Sequence, residues 1–168
     1  QEGKLVAISW SPDSKHLAMI GAANLNDPID GRLKIVDAMS GKTNAPLLGF
    51  EGKFEQLKWK NDNTLYYLVS KGVWSELGEI SISDARMEVI IPTGGTIINA
   101  FVEADGDFLF DAETPMHPDE VYSKKSGTSE ATRITNHNPW LDELDLGTQE
   151  VISFTTEDGM EIEGLFIY

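Results

Sequence analysis

A strand, a tight polar turn and a second strand recur three times in this 168-residue chain, at intervals of roughly 45 residues, the length of one four-stranded propeller blade. The first copy is Val6-Ala7-Ile8-Ser9-Trp10, the turn around Pro12-Asp13, then Leu17-Ala18-Met19. The second runs from Phe54-Glu55-Gln56-Leu57-Lys58-Trp59 through Asn61-Asp62-Asn63 to Leu65-Tyr66-Tyr67, and the third from Ile97-Ile98-Asn99-Ala100-Phe101 through Asp105-Gly106 to Phe108-Leu109-Phe110. Each unit then offers a third and fourth strand: 33–37 and 43–48 about Ser40-Gly41, 78–83 and 87–91 about Asp84-Ala85, 120–124 and 131–135 about Ser126-Gly127. The first two strands of each unit carry apolar residues on both faces, as strands packed between neighbours do. The pattern predicts an all-β chain with about three four-stranded antiparallel β-propeller blades in residues 1–135. A β-sandwich would also give short strands and regular turns, and recurrence of the whole unit weighs against it.

The repeat ends at Thr132-Arg133-Ile134-Thr135. Residues 136–149 read as a linker containing one short helical turn, with Asn138 at the N-cap and Pro139 at the first helical position, since a cap oxygen satisfies an orphan N–H and proline lacks one. Residues 150–168 alternate apolar and acidic residues about Glu157-Asp158-Gly159, a β-hairpin signature. A lone hairpin is marginal in water, so this one is expected to join a larger body.

Charge narrows the partners. The formal net charge is −15, with only 13 lysines and arginines, and a nucleic-acid binder needs cationic side chains to displace condensed counterions. Anionic membrane surfaces are disfavoured for the same reason, and no apolar run approaches the roughly 20 residues of a membrane span. The chain has no cysteine, hence no thiol nucleophile or thiolate metal site, and the compartment, cytoplasm or periplasm, stays open. It starts at Gln1 without a signal-like segment, which leads us to expect a processed or trimmed N-terminus.

Trp10-Ser11-Pro12-Asp13 before an apolar strand resembles the propeller repeat of TolB-like proteins and of the prolyl oligopeptidase family of serine peptidases. The run Ile134-Thr135-Asn136-His137-Asn138 through Leu141, Leu144 and Glu150 to Asp158-Gly159, Ile162, Gly164 and Ile167 is similar to the junction at which that family's propeller passes into its α/β-hydrolase domain, most closely in the acylaminoacyl-peptidase-like branch. The resemblance implies a parent that cleaves short peptides with a Ser-Asp-His triad while the propeller restricts entry to small or unfolded substrates. It also implies that residues 150–168 begin the hydrolase domain, and that this piece, lacking that domain, is catalytically silent. Its partners would be the hydrolase domain, a peptide substrate in the parent and, for three blades with uncovered faces, a second copy of the chain. The rival expectation is a stand-alone TolB-like module that binds a protein partner.

No catalytic, cofactor-binding or metal residue is assigned. Gly127-Thr128-Ser129-Glu130-Ala131 is the nearest approach to a Gly-x-Ser-x-Gly nucleophile elbow, but it lies between short strands with no helix to follow, as a plain inter-strand turn would; Gly72 to Gly78 has the wrong spacing. His117-Pro118-Asp119-Glu120 gathers an imidazole and two carboxylates without a second histidine at ligand spacing, and reads as a solvated loop. The other two histidines are His16 and His137. Asp105-Gly106-Asp107 and Asp27-Pro28-Ile29-Asp30-Gly31 fall short of a calcium loop, and Asp142, Glu143 and Asp145 read as solvated surface. Trp10 and Trp59, at the same repeat position, are expected in the blade core. The connection from Gly21 to Arg32 is long for an inter-strand loop, as functional loops often are, and the resemblance implies that it faces the hydrolase cavity and touches substrate in the parent.

Overall fold

The computed structural model describes residues 3–26 and 28–168. Strands β1 (Leu5–Trp10), β2 (His16–Gly21), β3 (Arg32–Asp37) and β4 (Thr43–Asn44) form the first antiparallel blade in sequential order. The second contains β5 (Lys53–Asn61), β6 (Thr64–Lys71), β7 (Trp74–Ser81) and β8 (Met87–Ile91), and the third β9 (Ile97–Ala104), β10 (Asp107–Thr114), β11 (His117–Lys124) and β12 (Thr132–Arg133). A 3-10 turn, Pro139–Glu143, precedes a two-stranded hairpin of β13 (Gln149–Thr155) and β14 (Glu161–Ile167). The fold is therefore all-β, with three four-stranded blades and a terminal hairpin. The fourth strands of blades 1 and 3 are shorter than their sequence pattern, two ladder residues each.

The chain divides into two compact units: residues 1–71 with 75–93, and residues 94–168 with 72–74. In the first unit the core lies between blades 1 and 2. Period-2 alternation turns Ala7, Ala18, Ile20, Leu33 and Ile35 toward Phe54, Leu57, Trp59, Leu65, Tyr67, Val69 and Ile80. Side chains from the two sheets enclose one apolar layer, and neither sheet could bury its face alone.

Trp59 sits at the seam of that layer. It is 8% exposed, its ring closes the core cluster, and its indole Nε1 donates to the Ser9 carbonyl of blade 1 at 3.0 Å. A second cross-blade bond ties the turns, from the Asp13 N–H to Asp62 Oδ1 at 3.0 Å. Asp13 also accepts from the Ser11 hydroxyl at 2.7 Å and the Lys15 N–H at 3.1 Å, which together with the Lys15 ammonium hold its carboxyl down at about 2. Asp13 thus shapes its own turn and, through Asp62, ties blade 1 to blade 2.

Trp10 corrects the expectation of a buried tryptophan at each repeat. It faces Leu17 as Trp59 faces Leu65, yet it is 55% exposed, because the side of β1 carrying Ile8 and Trp10 is turned away from blade 2. Blade 3 differs again. Blade 2 has a bulge between Trp59 and Asn61, so Leu65 pairs with Trp59; blade 3 lacks it, and Phe108 pairs with Glu103. Its turn is a tight two-residue one with Asp105 (φ 53) and Gly106 (φ 84) both left-handed, and Glu103 accepts the Gly106 N–H at 2.8 Å.

Within blade 2 a buried polar group is matched by partners. Glu76 is buried and accepts from the Tyr67 hydroxyl at 2.9 Å and Lys71 Nζ at 3.3 Å. Gly78 makes the arrangement possible, since a Cβ there would come within 2.4 Å of Tyr67 Oη and 2.6 Å of the Glu88 carbonyl oxygen.

Trp59→Ala is expected to cost about 3–5 kcal/mol, as emptying an aromatic core site does. Reversible urea titration followed by far-UV circular dichroism measures it, and a loss under about 1 kcal/mol would place Trp59 outside the core.

Candidate functional site

The exit from blade 3 is where sequence and structure concentrate unusual chemistry. Glu120, in β11, pairs across the sheet with Ala112, on the face that also holds Ile98 and Phe110. Its side chain is 1% exposed. A carboxylate so placed must be fully hydrogen-bonded, and its partners come from the chain as it leaves the blade. The Thr135 hydroxyl donates to Oε2, the His137 backbone N–H to Oε1 at 2.6 Å and His137 Nδ1 to Oε2 at 2.9 Å. Thr135 Oγ1 in turn accepts the Val121 N–H at 2.8 Å, and the Ile134 N–H reaches the Val121 carbonyl at 2.8 Å.

These donors all favour the ionised form. The Thr135 hydroxyl acts most strongly, burial opposes it, and the His137 N–H and ring add to it, so the Glu120 carboxyl is held at about 2 against an ordinary 4.5. The exit segment is thereby clasped to the blade by one carboxylate. Sequence reading began the third strand at Glu120 but took the His117-Pro118-Asp119-Glu120 cluster for a solvated loop. The correction is that β11 starts already at His117 and that Glu120 points inward. A Thr and a His fifteen and seventeen residues downstream are a signal that only tertiary pairing makes legible.

The other two members of that cluster go elsewhere. His117 Nδ1 meets the Pro118 carbonyl at 2.8 Å and Nε2 the Tyr122 hydroxyl at 2.7 Å, with the two rings stacked at 5.9 Å and Tyr122 stacked on Phe110 at 5.5 Å. Asp119 accepts from Asn99 Nδ2 at 2.6 Å. Among the described residues, no group of three or more His, Cys, Asp or Glu is placed to hold a metal ion.

Gly127 to Ala131 lies in the turn between β11 and β12: Gly127 has φ 76, the Thr128 N–H and hydroxyl both bond the Lys125 carbonyl, and Ser129 is exposed. Asp107 accepts from Lys125 Nζ at 2.7 Å and the Ser126 N–H at 2.8 Å, tying one turn of blade 3 to the next. Asp142, Glu143 and Asp145 are exposed.

Residues 22–31 connect β2 to β3, at the same edge of blade 1 as the exit from β4. Asp27 lies outside the described residues. Asp30 closes the base of the loop, accepting the Ala23 N–H at 3.2 Å and Arg32 Nε at 3.0 Å, while Arg32 Nη1 reaches the Phe50 carbonyl at 2.8 Å. Gly31, at φ 52, brings its backbone against blade 2, where the Phe54 N–H bonds its carbonyl at 2.9 Å. Asp30 is thus engaged in loop closure.

Beyond the clasp, the 3-10 turn buries no residue, and Asn138 does not cap it with its side chain. Asn138 contributes its carbonyl instead, accepting the Leu141 N–H at 3.0 Å, because its backbone is not in the conformation that turns a cap side chain inward. The hairpin is closed at its base by paired bonds between Thr148 and Tyr168, at 3.0 and 3.1 Å, and at its tip by Thr156 and Met160. Gly159 there has φ 85, making a three-residue loop of 157–159. Val151, Ile152, Phe154, Leu165, Phe166 and Ile167 are exposed on its two faces.

Against this geometry the comparisons are informative. The acylaminoacyl peptidase of Pyrococcus horikoshii superposes over 96% of this chain with a TM-score of 0.68 at 20% identity, using 25% of its own length. A puromycin hydrolase matches over 95% of this chain and 24% of its own, with a TM-score of 0.66 at 16% identity. The likeness is one of fold. Both neighbours are enzymes of the prolyl oligopeptidase family, and the chain spans about a quarter of their length. A third structure, a putative conserved lipoprotein from Clostridium novyi NT, matches over 80% of this chain and 90% of its own, with a TM-score of 0.58 at 12% identity. No family model matches the sequence, and no curated protein does.

The depressed Glu120 carboxyl contributes stability that is fully present above pH 4.5 and lost as pH falls through about 2. Glu120→Gln, which keeps the shape and removes the charge, is expected to lower stability at pH 7 and to flatten the acid limb between those values. Urea titrations at a series of pH values measure both, and unchanged stability together with an unchanged acid limb would show that the clasp contributes nothing.

Proposed function

We infer that this chain is a non-catalytic propeller segment of a serine peptidase of the prolyl oligopeptidase family, and that its blades help gate access of peptides to a hydrolase domain. The observation that carries this reading is the order of elements. Three blades, a clasped exit, one 3-10 turn and an apolar hairpin follow one another in this chain, and 96% of it superposes on a quarter of an acylaminoacyl peptidase. The hairpin's exposed apolar residues on both faces suit a sheet that continues into a hydrolase body, and the clasp at Glu120 would fix the direction in which the chain leaves the propeller. The parent would transfer the acyl group of a peptide to a serine, with histidine as base and an oxyanion hole for the tetrahedral charge; none of these groups is assigned to residues 1–168. The 22–31 loop, at the blade edge from which the chain exits, is the segment of blade 1 offered to substrate.

A second reading has its own support. The Clostridium novyi lipoprotein matches over 90% of its own length and 80% of this chain, which supports a fold of this size standing alone. With a net charge of −15, a stand-alone module of this kind would bind a protein partner through electrostatic complementarity.

Sequence from the source gene beyond Tyr168 separates the two. A Gly-x-Ser-x-Gly roughly 100–150 residues further on supports the peptidase, and a stop codon the binding module. The 168-residue chain is expected to take no label from a fluorophosphonate probe and to hydrolyse no acylated amino-acid or peptidyl chromogenic substrate, whereas the longer product labels at one serine. Stoichiometric labelling of Ser129, or of any other serine in residues 1–168, would overturn the non-catalytic assignment.

A further inference from the structure

The apolar layer between blades 1 and 2 ends in polar residues at one edge. Alternation carries one face of β2 through Ile20 and Ala18 to His16, and one face of β3 through Leu33 and Ile35 to Asp37. His16 pairs with Asp37 across the strands, and Ile35 with Asn44. Blade 2 meets them with Asn63, in its β5–β6 turn, and with Ile82 and Ser83 after β7. Together these residues line a cavity of about 300 Å³. Both of its walls belong to one compact unit.

The polar groups at this mouth differ in what they offer. His16 Nδ1 is buried and has no hydrogen-bond partner among the described residues. A buried N–H without a partner is harder to accommodate than an unpaired lone pair, so the neutral ring carries its proton on Nε2, the nitrogen left to face the cavity. Neutral or protonated, His16 is therefore a donor there. Asp37 is the opposite. Its Oδ1 takes the Ser40 N–H and hydroxyl, both at 2.7 Å. These bonds, against burial and with smaller help from the Met39 N–H and the His16 ring, hold its carboxyl below the usual carboxylate range. An ionised carboxylate accepts and does not donate, and Oδ2 retains that capacity. Asn63 commits its amide nitrogen to Ser81 Oγ at 3.1 Å and keeps its carbonyl oxygen, while Asn44 and the Ser83 hydroxyl serve in either sense.

That mixture selects the chemistry of an occupant. An ammonium brings donors alone and would meet the His16 N–H; a phosphate or carboxylate brings acceptors alone and would meet Asp37. A hydroxyl donates and accepts at one atom, and the C–H surface of a compact polyol suits Ile35 and Ile82. The volume stands at the small end of ligand cavities. We propose that the mouth between blades 1 and 2 binds a small neutral polyol of the monosaccharide class, one hydroxyl bridging His16 Nε2–H and Asp37 Oδ2 and others meeting Asn44, Asn63 and Ser83. The site rests on blades 1 and 2 alone, so its failure leaves both the peptidase reading and the binding-module reading intact.

Amide chemical shifts of the isotope-labelled chain, titrated with glucose, galactose and mannose and, as counter-probes, with n-butylammonium and inorganic phosphate, test it. At least one sugar is expected to give saturable shifts centred on His16, Asp37, Asn44, Asn63 and Ser83, with a dissociation constant of about 10 mM or tighter. Asp37→Asn, which keeps an oxygen for Ser40, and His16→Phe, which keeps a ring, should each weaken binding by on the order of 10-fold or more, since each leaves a hydroxyl without its partner. Because Nδ1 is unpaired, His16→Phe should melt no lower than the unaltered chain, so its loss of binding is not a loss of fold; should it fail to fold, Asp37→Asn decides alone. No saturable shift with any of the three sugars up to about 100 mM overturns the proposal. So do shifts centred elsewhere, binding indifferent to the variants, or tighter binding of butylammonium or phosphate.

Discussion

Everything in the first unit depends on one contact, the face-to-face packing of blade 1 on blade 2. A four-stranded antiparallel sheet of this size cannot fold around itself, so its stability is borrowed from the neighbour. Ala18, Ile20, Leu33 and Ile35 are buried only because Phe54, Trp59, Leu65 and Tyr67 lie over them. Two directional bonds, from Trp59 to Ser9 and from Asp13 to Asp62, convert a slippery apolar layer into a fixed register. Apolar contact supplies most of the stabilisation, and the hydrogen bonds decide which of several sliding positions is occupied.

The same logic, with polarity reversed, governs the exit from blade 3. Glu120 occupies a place where an aliphatic residue would pack, and a charge there is tolerated because Thr135 and His137 return to satisfy it. Removing partners would leave a buried charge, which costs far more than the bonds contribute in isolation. A carboxylate used in this way makes the path of the outgoing chain specific. The 3-10 turn that follows has no buried residue.

Repetition explains both how much could be read in advance and where reading went astray. The three units share a plan but differ in detail at the position that matters most. Trp59 is sealed, Trp10 is open, and the corresponding site in blade 3, shifted by the absence of a bulge, is Glu103. One-residue changes in hairpin length move a side chain to the opposite face of a sheet, and a repeat alignment anchored on Asp13, Asp62 and Asp105 cannot register that shift. Exposure likewise belongs to the assembly: identical chemistry at Trp10 and Trp59 meets solvent in one case and another sheet in the other.

Sequence by itself determined the strand–turn–strand period, the four strands of each unit, the polar turns that separate them, the change of pattern after Thr135 and the terminal hairpin, because each is set by alternation and turn chemistry within a few residues. Only the tertiary structure decided which face of a blade is covered, that Glu120 is buried instead of solvated, and that Asn138 supports its turn by its carbonyl and not its side chain. Those outcomes depend on residues far apart in the chain, and on which partners a folded neighbour brings within reach of a buried polar atom or leaves to water.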